Sequence, residues 1–279
     1  MTGHIVVGVD GSAPASAAVE WAAADARQRG LDLKIVHVCE RPSHGEDAAA
    51  RAGMLKAAAD RARELARGVE VSTELLAGTI TKRLIGESAA ADSLVLGSRG
   101  LGGFAGLVLG SVGLAVAGHA AGPVVIVRGS AQARQDRIVV GYDGSGHSEA
   151  AMTYAVGQAR ARYASLHVVS AWQMPAFSPY AIGYSRLLED VIREQSAAAR
   201  QRVAFWRERD PDLLITDEQP CEHPVSALIR AAATAELVVV GSRGQGGLAA
   251  AVLGSVSHGV LHHVTCPVAV VRPRTQEES

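Results

Sequence analysis

A chain of 279 residues, 48% of them hydrophobic and 20% charged, has room for roughly two globular domains and carries no disorder signature. A formal net charge of −1 removes the basic footprint of a general nucleic-acid binder, so a bound anion must be held by local geometry. No apolar segment approaches the roughly 18 residues needed to span a bilayer, and Cys39, Cys221 and Cys266 form no C-x-x-C pair. With no basic leader before the first strand, a cytoplasmic protein away from membranes is expected.

The elements read in chain order as follows. Residues 5–9 are a continuous apolar strand ending at the turn Asp10-Gly11-Ser12. An alanine-rich helix over 17–29 stops at Gly30, and a second strand follows over 33–39. A long helix over 48–66, a strand over 69–76 and a helix over 81–90 come next. Then follow a strand over 94–96, a glycine loop, a helix from Ser111 and a strand at Val124. Continuous rather than alternating hydrophobicity in the strands means both sheet faces are covered, so a parallel, doubly wound sheet is expected.

The chain then repeats itself. Ile5-Val6-Val7-Gly8-Val9-Asp10-Gly11-Ser12 returns as Ile138-Val139-Val140-Gly141-Tyr142-Asp143-Gly144-Ser145, an offset of 133 positions from Asp10 to Asp143. Gly97-Ser98-Arg99-Gly100 and Gly110-Ser111 return as Gly241-Ser242-Arg243-Gly244 and Gly254-Ser255, an offset of 144, so the second copy carries about eleven extra residues. They are assigned to a longer loop over 173–184. Matching strands close the copies, Pro123-Val124-Val125-Ile126-Val127 and Pro267-Val268-Ala269-Val270-Val271. Domains of 1–134 and 135–279 follow, with a linker over 129–136.

The glycine loops follow a strand and open a helix, where unpaired N–H groups and the helix dipole attract phosphate. A P-loop is excluded, because no Lys-Ser or Lys-Thr follows the last glycine. The run 100–105 fits G-x-G-x-x-A, but it does not follow the first strand. On this reading Gly97, Gly100, Gly241 and Gly244 leave room for phosphate, Gly110 and Gly254 open helices, and the Ser111 and Ser255 hydroxyls add donors. The plainer alternatives are turns, caps and close packing without a ligand. Asp10 and Gly97 meet if the first and fourth strands are neighbours across a switch point.

The pattern G-x2-G-x9-G-S after a fourth strand, with the Asp-Gly-Ser turn and the Pro-Val-x-Val terminal strand, resembles the universal stress protein family. It is closest to the tandem, ATP-binding members found in actinobacteria. The resemblance covers 4–128 and 136–272 and implies two five-stranded, Rossmann-like domains of the adenine nucleotide alpha hydrolase kind. It implies ATP in both halves, with Asp10 and Asp143 near the ribose or a Mg²⁺ or Mn²⁺ ion. It implies backbone near Val38 and Ala171 at the adenine edge, and terminal strands paired across a pseudo-two-fold. Departures predict unequal sites. Gly113 replaces Ser257, a phosphate donor, and Ala15 replaces Ser148. Glu222 replaces Gly78 and would repel a nucleotide if it pointed inward.

Beside the phosphate site no nucleophile–base pair emerges, so a nucleotide-dependent stress regulator or sensor is expected, with no catalytic residue. A slow ATPase or phosphotransferase and a scaffold with structural nucleotide are the alternatives. A homodimer of chains and an unidentified regulatory partner are expected; nucleic acid and membrane are not. His258, His262 and His263 read as structural rather than as a zinc site, and Trp21 and Tyr154 as core-packing residues.

Overall fold

The computed structural model describes residues 3–40, 46–100, 109–128, 135–173, 185–245 and 252–274. The first half runs β1 (His4–Gly8), α1 (Ala13–Arg29), β2 (Asp32–Cys39), α2 (Glu46–Leu65), β3 (Val71–Ala77), α3 (Ile80–Ala90), β4 (Ser93–Gly97), α4 (Ser111–His119) and β5 (Val124–Val127). The second runs β6 (Arg137–Gly141), α5 (Gly146–Arg162), β7 (Ser165–Val169), α6 (Ser185–Arg209), β8 (Ile215–Glu218), α7 (Pro224–Ala232), β9 (Leu237–Gly241), α8 (Ser255–His263) and β10 (Val268–Val271).

The helix limits follow from local chemistry. Ser12 caps α1 by accepting the Ala15 N–H, a proline sits in the first turn, and Gly30 ends the helix in the left-handed region at φ 64°. Ser145 caps α5 in the same way, but the left-handed closing position there is Tyr163, at φ 54°. The expected loop at 174–184, the linker at 129–134 and the forced fingerprint at 101–105 lie outside the described residues. Helix α6, at 25 residues against 20 for α2, takes up part of the second half's extra length.

Strands β1, β4, β6 and β9 are buried along both faces because helices cover each side. One core face carries residues from α1, α2, α5 and α6, and the other carries residues from α3, α4, α7 and α8. The strand order is β3-β2-β1-β4-β5-β10-β9-β6-β7-β8. Within each half every pairing is parallel. The two sheets join through an antiparallel pairing of β5 with β10, Val124 opposite Val270 and Ile126 opposite Val268. The terminal strands are therefore the centre of one ten-stranded sheet among the described residues. Burying a Val or Ile side chain is worth roughly 1.5–3 kcal/mol, so the valine-rich strands Val124–Val127 and Val268–Val271 are covered by each other rather than by solvent.

The halves also meet through α1 and α5. Asp25 is fully buried there and pairs with Arg162 at 2.8 Å, while Gln158, at the position matching Asp25, donates to the Tyr154 hydroxyl at 2.9 Å. Arg162 lies 5.1 Å over the Trp21 ring and Arg29 lies 5.8 Å over Tyr154. Trp21 and Tyr154 thus pack, as expected, but against arginines as well as against the core.

Candidate functional site: two matching cavities

Strand order reverses between β1 and β4 and again between β6 and β9, so loops diverge there and leave a crevice at the carboxyl ends. A cavity of about 570 Å³ occupies the first crevice and one of about 660 Å³ the second. Asp10, Val38, Gly97, Gly100, Gly110 and Ser111 all line the first. Asp143, Ala171, Gly241, Gly244, Gly254, Ser255 and Ser257 all line the second. The pairing of β1 with β4 is what brings Asp10 to Gly97.

The aspartates organise the turns. Asp10 Oδ1 accepts the Ser12 N–H at 3.0 Å, and the Ser12 hydroxyl donates to the Arg99 carbonyl at 3.3 Å, tying the β1 turn to the β4 loop. Asp143 Oδ1 accepts the Ser145 N–H at 2.9 Å, and Oδ2 accepts the Gln245 N–H at 3.0 Å. Burial pushes the Asp143 carboxyl upward, but bonds from Ser145, Gln245 and Ser148 outweigh it and hold the group below its ordinary value. The Asp-Gly-Ser segments are therefore turns with caps, and their aspartates are cavity walls at the same time.

The helix starts that directly follow the four central strands β1, β4, β6 and β9 differ in one respect. Helices α1 and α5 are capped by their own serines, at 3.3 and 3.2 Å. Helices α4 and α8 start after Gly110 and Gly254, with no side-chain cap. Gly110 N–H closes onto the Ser98 carbonyl and Gly254 N–H onto the Ser242 carbonyl, both at 2.8 Å. First-turn N–H groups of α4 and α8 are thus left for a ligand, and Gly110 to Gly113 and Gly254 to Ser257 line the cavities.

The structure adds to the reason for several residues. A Cβ on Gly97 would lie 2.5 Å from the Pro14 carbonyl carbon and 2.8 Å from the Ala15 nitrogen; one on Gly241 would lie 2.8 Å from the His147 carbonyl carbon. These glycines let a helix start pack against a strand end, a packing reason for their type beside their place on the cavity walls. A Cβ on Gly244 would lie 2.6 Å from Asp143 Oδ2, and Gly100 stands against Asp10 in the same way. The Ser257 hydroxyl donates to the Ser242 carbonyl at 3.1 Å and the Gly254 carbonyl at 3.0 Å. In this structure its single proton braces the loop, while Ser257 also lines the cavity. Glu222 is held outward by Arg230 at 2.6 Å and does not line the second cavity.

Arg99 and Arg243, one on each cavity wall, were missed. Their signal was the verbatim Gly-Ser-Arg-Gly repeat, of which only the glycines were read. Also missed were the apolar walls, Ile80 and Leu84 on α3 and Pro224 and Leu228 on α7, four residues apart on one helix face in each case. His37 lines the first cavity, its Nδ1 bonded to the Val9 carbonyl at 2.7 Å. On α8 the His258 and His262 rings lie 4.5 Å apart. Burial pushes the nearby Cys266 thiol up to about 12. Among the described residues no group of three or more His, Cys, Asp or Glu side chains is placed to hold a metal, and no helix is long and apolar enough to cross a membrane.

A model of the universal stress protein family matches residues 1–128 and 135–272. A universal stress protein of Mycolicibacterium smegmatis is 33% identical, covering 97% of both chains, and one of Mycobacterium tuberculosis is 34% identical, covering 96% of both. The crystal structure of a universal stress protein from Archaeoglobus fulgidus superimposes with a TM-score of 0.67 at 20% identity, covering 96% of this chain and 98% of that one. Both the doubled fold and the doubled motif therefore have one source: the chain belongs to the universal stress protein family, in tandem form.

Proposed function

We propose that each cavity holds an adenine nucleotide, ATP in the first instance, and that the chain is a nucleotide-dependent stress regulator or sensor. The observation that carries this reading is the contrast among helix starts. Of the helices that directly follow the four central strands β1, β4, β6 and β9, those after the glycine loops, α4 and α8, lack a side-chain cap, whereas α1 and α5 have one. Phosphates would lie on Gly110-Ser111 and Gly254-Ser255, with Arg99 and Arg243 supplying charge. The base would lie between the apolar walls, against the backbone near Val38 and Ala171.

A Mg²⁺ or Mn²⁺ ion would have to ride on the phosphates, because each cavity wall supplies one carboxylate, Asp10 or Asp143. Those carboxylates already accept N–H groups of their own turns, which favours holding a nucleotide over turning it over. Differences at Gly113/Ser257 and Ala15/Ser148 give the sites unequal affinity. Homodimerisation, a protein partner that reads the nucleotide state, and a cytoplasmic location complete the proposal.

Mass spectrometry of acid-extracted protein, followed by calorimetry with Mg-ATP, tests it. Adenine nucleotide in the extract and two unequal binding steps are expected. An empty extract together with no heat from Mg-ATP overturns it. Phosphate release over hours beyond one equivalent per site would make the chain a slow ATPase instead.

A further inference from the structure

Arg128 directly follows β5 and Arg272 directly follows β10, at matching positions of the two halves. Each reaches across the seam. Arg128 Nη1 donates to the Val264 carbonyl at 2.7 Å and to the His262 carbonyl at 3.3 Å, at the end of α8 in the opposite half. Arg272 Nη2 donates to the Gly118 carbonyl, at the end of α4, and to the Val252 carbonyl at 3.2 Å. Carbonyls at a helix C-terminus lack intrahelical partners, and a cation there also complements the dipole. The first turns of the same two helices line the cavities: α8 starts in the second and α4 in the first. Each clamp therefore fixes, from the far end, the helix whose near end is the presumptive phosphate seat of the other half.

A second contact runs the same way. Gly118 has no room for a side chain because Val252 of the other half fills that space, and Val252 lies two residues before Gly254 of the second cavity. The clamps also feel their own half's cavity. After burial, the like charge of Arg99 is what pushes the Arg128 guanidinium below its ordinary value, and Arg243 acts on Arg272 in the same way. An anion neutralising Arg99 would remove that like-charge repulsion from Arg128, whose guanidinium clamps the end of α8.

We propose that each cavity is completed by a positioning arginine from the opposite half, Arg128 for the second cavity and Arg272 for the first, so that occupancy of one site strengthens the other. This rests on the nucleotide reading of the cavities. The test uses the full chain and 8-azido-ATP, with the labelled peptides of each half quantified after photolysis. R128Q is expected to lower labelling of the second half about fivefold and that of the first half by less, through the lost coupling, and R272Q to do the converse; R128K restores part of the loss. In parallel, amide hydrogen exchange without nucleotide is expected to speed up over 255–263 in R128Q and over 111–119 in R272Q. A larger loss in the same half as the substitution, or equal loss in both, overturns the proposal. If the unsubstituted chain takes no label while the crossed exchange pattern appears, the nucleotide reading fails and the clamp stands. If labelling is normal and exchange is unchanged at the far helices, the clamp fails and the nucleotide reading stands.

Discussion

The first and second halves share a backbone plan but differ at most matching positions, and the identical ones are not scattered. Around the cavities the pairs Asp10/Asp143, Gly97/Gly241, Arg99/Arg243 and Gly110/Gly254 are identical. Differences fall on the cavity walls at Gly113/Ser257 and Ala15/Ser148, where one half touches the other at Asp25/Gln158, and where a helix ends at Gly30/Tyr163. Identical residues mark what each crevice needs for itself. Different ones mark places where two copies in one chain no longer have to serve the same partner.

The seam between α1 and α5 shows this most clearly and carries the largest expected effect. A symmetric pair would set the same side chain on both sides, whereas here one carboxylate, Asp25, faces Gln158 and takes Arg162 across the seam. Arg162 is 2% exposed and is held on its other side by Glu236 at 3.1 Å; Arg29, its counterpart, pairs with Asp92 at 2.6 Å. Removing one member of a buried pair costs about 3–5 kcal/mol when the other charge is left alone; Glu236 and Asp92 still hold the two arginines, so about 3 kcal/mol applies here. Asp25→Ala is therefore expected to lower unfolding free energy by that amount in urea, against about 1–2 kcal/mol for Gln158→Ala. Equal losses would show that the seam treats the two halves alike.

Next in size is the glycine at the end of the fourth strand. The closest backbone atom would stand 2.5 Å from a Cβ at Gly97 and 2.8 Å from one at Gly241, because Pro14 brings its helix start nearer than His147 does. Overpacking of this kind costs typically about 1–3 kcal/mol. Gly97→Ala is expected at the top of that range and Gly241→Ala near the bottom, by thermal unfolding. The reverse order would remove close packing as the reason for these glycines.

Those two positions also show what a sequence can and cannot tell. The fold was legible because the central strands are continuous apolar runs and the landmarks occur twice, so chance matches cancel. The motif aspartates, glycines and serines of both cavities were legible for the same reason, whereas Arg99, Arg243 and the apolar walls on α3 and α7 were not. The roles of the motif residues were not. Nothing in a glycine's identity says whether the missing side chain makes way for a ligand or for Pro14. Nothing in a serine says that Ser257 turns its hydroxyl to two carbonyls. The clamps of Arg128 and Arg272 depend on an antiparallel step between distant strands, which no local pattern encodes.

A smaller effect is expected at the ends of α1 and α5. Gly30 and Tyr163 both adopt the left-handed conformation, which costs an L side chain roughly 1–2 kcal/mol. Tyr163 is 92% exposed, so its ring recovers little of that. Tyr163→Gly should stabilise the chain by about 1 kcal/mol, and Gly30→Ala should destabilise it by a similar amount. A loss on Tyr163→Gly would mean that the tyrosine ring has a contact that matters more than its backbone.

The smallest effect concerns acid. Asp143 has its carboxyl held below its ordinary value of 3.8 by hydrogen bonds that only the ionised form accepts well. A depressed value stabilises the fold fully above the unfolded value and loses that contribution as the pH falls through the folded one. Asp143→Asn should therefore lower the melting temperature in the neutral range, where the ionised carboxylate contributes fully, and flatten the fall below about pH 4, so that the two curves converge in acid. Gln245 sharpens the comparison, because its side-chain amide donates to the Asp143 carbonyl and the matching residue of the first half, Leu101, has no donor. Gln245→Leu makes the second turn resemble the first and is expected to cost about 0.5–1 kcal/mol at neutral pH. If it also shifts the acid limb of the melting curve, then the loop after β9 sets the Asp143 environment, and the two cavities differ by that loop rather than by their aspartates.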